Sequence, residues 1–216
     1  GQDLRKSAKS FREQVGAAFA TRVEANIGGD YIKVLGLCSI MSAVGVLHRA
    51  QGEIELVCKL FGGGIEVNKV ITSIPRLVKT GLLQRRGSFV EVGPRIFADY
   101  LSSQTIAGRS AELFALVSGL HTRAIARLFE RLHSVESEDV ELLWEKLLDN
   151  GGLFDSLEKA VELGDVLRLV AARTPGRVAS KLDELFSGVY ATKLKDIEGT
   201  LMVGPSSSPA EKFRWE

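Results

Sequence analysis

Residues 65–101, IEVNKVITSIPRLVKTGLLQRRGSFVEVGPRIFADYL, decide the fold. Within them Val67, Val70, Ile71, Ile74, Leu77 and Val78 recur at intervals of three and four, the apolar stripe of an amphipathic helix over residues 67–80. Gly81 stops that helix. Residues 82–86 and 89–92 are two short β-prone runs separated by Gly87 and Ser88, the spacing of a tight hairpin with glycine at its first central position. Gly93 and Pro94 close the hairpin, because proline cannot donate to a continuing ladder, and a helix starts at Arg95. Helix followed by hairpin is the second half of a winged helix. Pro75 removes one helical hydrogen bond, so a kink or a late helix start is expected there.

Working outward, residues 3–26 carry Leu4, Ala8, Phe11, Val15, Phe19 and Val23 at helical spacing and form a docked or linking helix. Asp30 is placed to cap the next helix, residues 31–48, whose apolar character almost all round predicts the central core helix. A short helix over residues 53–61 and the glycines at 62–64 complete the order helix, short helix, helix, hairpin across residues 31–92. From Ser102 onward the pattern is helical throughout, with helices expected at residues 111–118, 122–133, 137–149, 153–163, 165–172 and 175–186. Ser137 supplies an N-cap, Asn150-Gly151-Gly152 and Gly164 are stops with Asp165 as the next cap, and Pro175 suits a first helical position. Short helices of this kind are stable only when packed together. The expected architecture is mainly α: a linking helix at 1–30, a winged-helix domain at 31–101, an α-helical bundle or solenoid-like array at 102–198, and a flexible, linker-like tail at 199–216 that ends with Phe213 and Trp215.

Composition narrows the function classes. Twenty-eight basic and 27 acidic residues give a net charge of +1, so no global field recruits nucleic acid or an anionic membrane. No apolar run approaches the ~20 residues of a membrane span. Cys38 and Cys58 are not a disulfide framework in a chain of 216 residues, which points to a reducing cytoplasm. Opening on Gly1 without methionine suggests an excised segment of a longer gene product.

Motifs of catalysis do not assemble. Gly62 to Gly64 lack the strand and the Gly-Lys-Ser/Thr ending of a phosphate loop, and His48, His121 and His133 have no metal-ligand spacing with each other or with the cysteines. No nucleophile has a recognisable base, and the acidic residues are expected on solvated helix faces. The expectation is a non-enzyme without metal or cofactor. The sharpest local feature is basic. Lys69, Arg76 and Lys79 on the third helix join Arg85 and Arg86 on the wing, and Asn68, Thr72 and Ser73 are the available base readers, a set that a DNA-binding winged helix would use. Set against it are the neutral net charge, the few base readers and Pro75, all of which favour protein contact.

Residues 77–86, LVKTGLLQRR, resemble the step from third helix to wing in the winged-helix module of STAND-class P-loop ATPases, the NACHT and NB-ARC-like relatives of AAA proteins. Residues 92–101, VGPRIFADYL, resemble the helix that follows the wing in that family, and residues 167–178, LRLVAARTPGRV, resemble the helical region beyond it. The resemblance implies a regulatory arm whose winged helix packs on an adjacent nucleotide-binding core, which would lie N-terminal to Gly1, and rotates away on activation, with the helical half carrying the motion to a sensor region beyond Gly204. Arg95, Asp99 and Tyr100 are then the candidates for the core-facing contact. Relatives with a known switch carry a nucleotide-contacting histidine before this aspartate, where this chain has Ala98, so the resemblance does not bring direct nucleotide sensing with it. The second reading is a transcription regulator with a DNA-binding winged helix and a helical dimerisation or effector half.

Overall fold

The structure, a computed structural model, describes the backbone of residues 2–202 and the side chains of residues 10–189. It is mainly helical with one small antiparallel sheet. Helix α1 (Gln2–Ile27) leads into α2 (Gly29–Ser39), α3 (Gln51–Phe61) and α4 (Val67–Lys79), followed by the hairpin β2 (Leu83–Arg86) and β3 (Phe89–Val92) and by α5 (Arg95–Ile106). Gly87, at φ 61°, takes the first central position of the two-residue turn, and the register Arg86↔Phe89 to Leu83↔Val92 turns Val90 and Val92 into the core.

The uniformly apolar residues 31–48 are not one helix. α2 ends at Ser39, and Val44–Gly45 form strand β1, which pairs with Val90 and Phe89 of β3 and gives the sheet order β1-β3-β2. A segment buried on all sides is apolar as helix and as strand alike, so periodicity cannot separate the two. Gly45 is where the difference is written: a side chain there would run into the backbone of Ala50, at the end of the 3₁₀ turn His48–Ala50. Asp30 does not cap α2 either. Gly28, at φ 95°, holds the N-cap position and Asp30 lies in the first turn. α4 runs without interruption through Pro75, with its buried row Val70, Ser73, Ile74 and Leu77 facing inward. α5 continues to Ile106 with Ser102 buried, so the expected boundary at 101/102 falls inside a helix.

Six helices follow: α6 (Ser110–Gly119), α7 (Thr122–Leu132), α8 (Glu138–Leu147), α9 (Leu157–Glu162), α10 (Gly164–Arg173) and α11 (Pro175–Met202). Ser137 caps α8 by accepting from the Val140 N–H at 3.2 Å. Ser156, not Leu153, marks the start of α9, accepting from the Lys159 N–H, and Leu163 instead of Asp165 precedes α10. α11 passes Phe186 and Gly199, which shortens the expected tail; Phe213 and Trp215 lie outside the described residues.

Buried residues from Val23 to Val178 form one continuous core, in which Phe129 of α7 packs on Trp144 of α8 at 5.0 Å and Phe19 of α1 meets Phe97 of α5 edge-on at 4.7 Å. Cys38 and Cys58 fill space in it as free thiols; burial pushes them up to about 12 and about 11, so both stay protonated at neutral pH. α1 comes so close to α5 at Gly16 that a Cβ there would lie 2.5 Å from the Tyr100 Cβ.

The expectation that every carboxylate lies on a solvated face fails at Glu53, which is 3% exposed on α3. Its carboxylate accepts from the Gly45 N–H at 2.8 Å, from Arg127 of α7, and from His121 Nε2 at 3.1 Å. The Ala124 N–H points at His121 Nδ1, which assigns the imidazole proton to Nε2. Arg127 also donates Nε to the Ala43 carbonyl at 2.9 Å and lies 4.6 Å over the Phe89 ring, while its own carbonyl accepts from the Ser42 N–H at 3.0 Å. One arginine thereby ties the second half of the chain to the sheet of the first.

Two outcomes are expected. Arg127→Leu leaves Glu53 buried without its cation and costs ~3–5 kcal/mol in urea unfolding, and Glu53→Gln in the same chain recovers part of the loss. Gly16→Ala lowers stability by ~1–3 kcal/mol by overpacking against Tyr100, although helix propensity alone favours alanine by ~1 kcal/mol. A thermal melt read by far-UV circular dichroism checks the sign, and limited proteolysis within α1 checks the location.

Candidate interaction surfaces

Two surfaces contain the residues singled out by the sequence. The first is the outward row of α4 with the adjoining hairpin, since α4 packs against β2. Asn68, Lys69, Thr72, Arg76 and Lys79 are all exposed on that row, and Arg85 and Arg86 are exposed on β2. Ser73 points the other way, buried and bonded to the Lys69 carbonyl at 2.7 Å, so it is no base reader. The row is more engaged than its composition suggests. Lys69 Nζ pairs with Asp30 at 2.6 Å and holds that carboxyl below its usual range. Arg76 donates to the Tyr31 hydroxyl at 3.1 Å and lies 4.7 Å over the same ring. Thr72 Oγ1 turns back to the Asn68 carbonyl at 2.8 Å, the local bond that threonine makes inside a helix. On the hairpin, Arg85 Nε donates to the Gly87 carbonyl at 3.1 Å and Arg86 stands 4.0 Å from Glu91.

The second surface is the start of α5. Arg95 faces solvent, 3.9 Å from Asp99. Asp99 is turned inward: its Oδ1 accepts from Arg131 Nη1 of α7 at 2.5 Å and from Ser134 Oγ at 2.9 Å. Arg131 is itself 4% exposed, with Nε unpaired. Tyr100 is half-buried under α1 at Gly16. Arg12, Glu13, Asp99, Tyr100, Ser134 and Glu136 line a small open cleft between these elements. Of the three residues expected to face a partner, Arg95 alone is free to do so; Asp99 and Tyr100 fasten α5 to α7 and α1.

Three residues that organise the molecule did not stand out in the sequence: Glu53, Arg127 and Arg131. A signal was present. Arg131 falls three residues after Leu128 and seven after Ala124, inside the apolar stripe of α7, and a charge within a buried stripe requires a buried partner. Among the described residues no group of three His, Cys, Asp or Glu side chains could hold a metal, and no helix is long and apolar enough to cross a membrane. No family model, no curated protein and no solved structure matches the chain, so its functional reading rests on its own residues and geometry.

Proposed function

We propose that this chain is a non-catalytic regulatory and interaction arm of a larger STAND-type ATPase, with a winged helix making switchable protein contacts. The order α2, β1, α3, α4, β2, β3 with the sheet order β1-β3-β2 supports the winged-helix reading. The resemblance of residues 77–86 and 92–101 supports the family. One observation favours protein contact over DNA: Lys69 and Arg76, the cations nearest the centre of the would-be recognition helix, are turned onto Asp30 and Tyr31 of their own chain. A phosphate or base edge would have to displace both.

The mechanism is conformational. Asp99 and Tyr100 bind α5 to α7 and α1, so these elements move as one rigid arm, and a rigid arm suits rotation about an interface. Arg95, and the rim of the cleft beside it, remain for the ATPase core. Nucleotide sensing belongs elsewhere in such a protein, because Ala98 is wholly buried and cannot touch a nucleotide. The second reading, a DNA-binding regulator, draws on Lys79, Arg85 and Arg86, which stay exposed.

Two measurements decide. The polypeptide that contains this chain is expected to carry a Gly-x-x-x-x-Gly-Lys-Ser/Thr segment N-terminal to it, and its absence overturns the ATPase reading. In fluorescence anisotropy at ~50 mM salt, duplex DNA is expected to remain unbound at tens of micromolar protein. Salt-steep binding abolished by Lys79→Glu with Arg85→Glu would replace the protein-contact reading with the DNA one.

A further inference from the structure

We propose that the outward face of α4 and the hairpin docks onto the outward face of α8 in a second copy of this chain. The inference goes beyond the ATPase reading and stands without it. α8 exposes Glu138, Glu141, Leu142 and Glu145 at i, i+3, i+4 and i+7, one continuous helix face, and Glu136 extends it. Among the described residues, Glu141 is the one of these carboxylates with a cation against it, Arg173 at 3.3 Å. The α4 and hairpin face is the opposite case. Arg76, Lys79 and Arg85 have no carboxylate partner among the described residues, their recorded bonds being those of Arg76 to Tyr31 and Arg85 to Gly87.

Leu142, at 39% exposure, lies among the carboxylates of α8, and Val78, at 36% exposure, flanks the α4 row beside Lys79. The net charge of the chain is +1, so two copies do not repel at long range and the opposed patches decide their approach. The faces belong to different parts of the core: α4 packs on α2, α3 and β2, and α8 on α6 and on Phe129 of α7. A contact between two unlike faces is heterologous, with each copy offering a basic face to one neighbour and an acidic face to the next. Two helix faces are a small area, and exposed ion pairs are individually weak and screened by salt. The association is therefore weak and salt-sensitive in the isolated chain.

Sedimentation velocity on the 216-residue chain tests this. At ~20 mM salt the weight-average sedimentation coefficient is expected to rise with concentration, and at ~500 mM salt to stay at the monomer value. Lys79→Glu with Arg85→Glu in one chain, and Glu136→Lys with Glu145→Lys in another, each lower the association constant at least about tenfold at low salt, since like charges then meet. All four positions are exposed, so both chains are expected to melt like the wild type. Mixing the two charge-reversed chains brings opposite charges together again and restores association. A wild type that stays monomeric at ~1 mM and low salt, reversed chains that associate as before, or a mixture that fails to associate each overturns the proposal. A wild type that stays monomeric but binds duplex DNA through Lys79 and Arg85 also overturns it, in favour of a nucleic acid occupant. None of these results depends on whether the polypeptide carries an ATPase core.

Discussion

Burial of the Glu53 carboxylate constrains most of this structure. A carboxylate cannot be taken out of water without partners, and those gathered around Glu53 come from three separate places: the Gly45 N–H of β1, the Arg127 guanidinium of α7 and the His121 imidazole at the α7 N-cap. Each partner is correct only if the chain has already folded properly elsewhere. Gly45 must lie beside Phe89 in the sheet, and α7 must cross at the register that brings Arg127 over that same Phe89 ring. A slip of one residue in β1 would move the Gly45 N–H away from Glu53 and leave the charge short of a donor. The ion pair contributes little net stability against an apolar substitute of equal volume; what it enforces is a single arrangement of α3, β1 and α7.

Asp99 repeats the device one helical turn along. Arg127 and Arg131 are four residues apart on α7, so they project from the same side, one toward Glu53 and one toward Asp99. α7 thus holds α3 and the sheet with one arginine and α5 with the other. α5 in turn holds α1, where Gly16 allows the backbone of α1 to come against Tyr100 and Phe19 to reach Phe97. The two halves suggested by the change of sequence character at Ser102 are joined through the interior by charge as well as by apolar packing.

How much of this was legible depends on what each signal encodes. Helix α4, the hairpin and its Gly87-Ser88 turn were readable because a stripe at 3.6, two short β-prone runs and the glycine between them fit one structural solution. The all-helical second half was readable from its punctuation, Ser137 and Pro175 above all. β1 was not, because residues 31–48 are apolar for tertiary reasons and carry no period to distinguish helix from strand. The extent of α5 was hidden by Ser102, a polar residue that ends an apolar pattern on paper but is fully buried in the fold. Among the candidate contacts the sequence did not show which side chains turn inward. Asp99 and Tyr100 are one and two helical steps past Ala98, close enough to the buried face to be drawn into it, whereas Arg95 lies a turn earlier and stays out.

The distribution of charge follows from the same division. The buried Glu53 and Arg131 pair with the partly buried Arg127 and Asp99. Outside the stripes, cations predominate on α4 and β2 and carboxylates on α8, with Glu91 on the hairpin and Lys146 on α8 as the exceptions. The acidic first turn of α8 has a local cause, since Glu138, Asp139 and Glu141 sit at the positive end of the helix dipole. Glu145 lies in the last turns of α8, where the dipole disfavours a carboxylate, whereas Lys79, at the C-terminal end of α4, is favoured by the dipole there and Arg85 bonds the Gly87 carbonyl. Stability of the isolated fold therefore accounts for the interior charges, for the start of α8 and for Lys79 and Arg85, but not for Glu145. Exposed charges of opposite sign that face outward from separate elements are placed as a contact between molecules would place them.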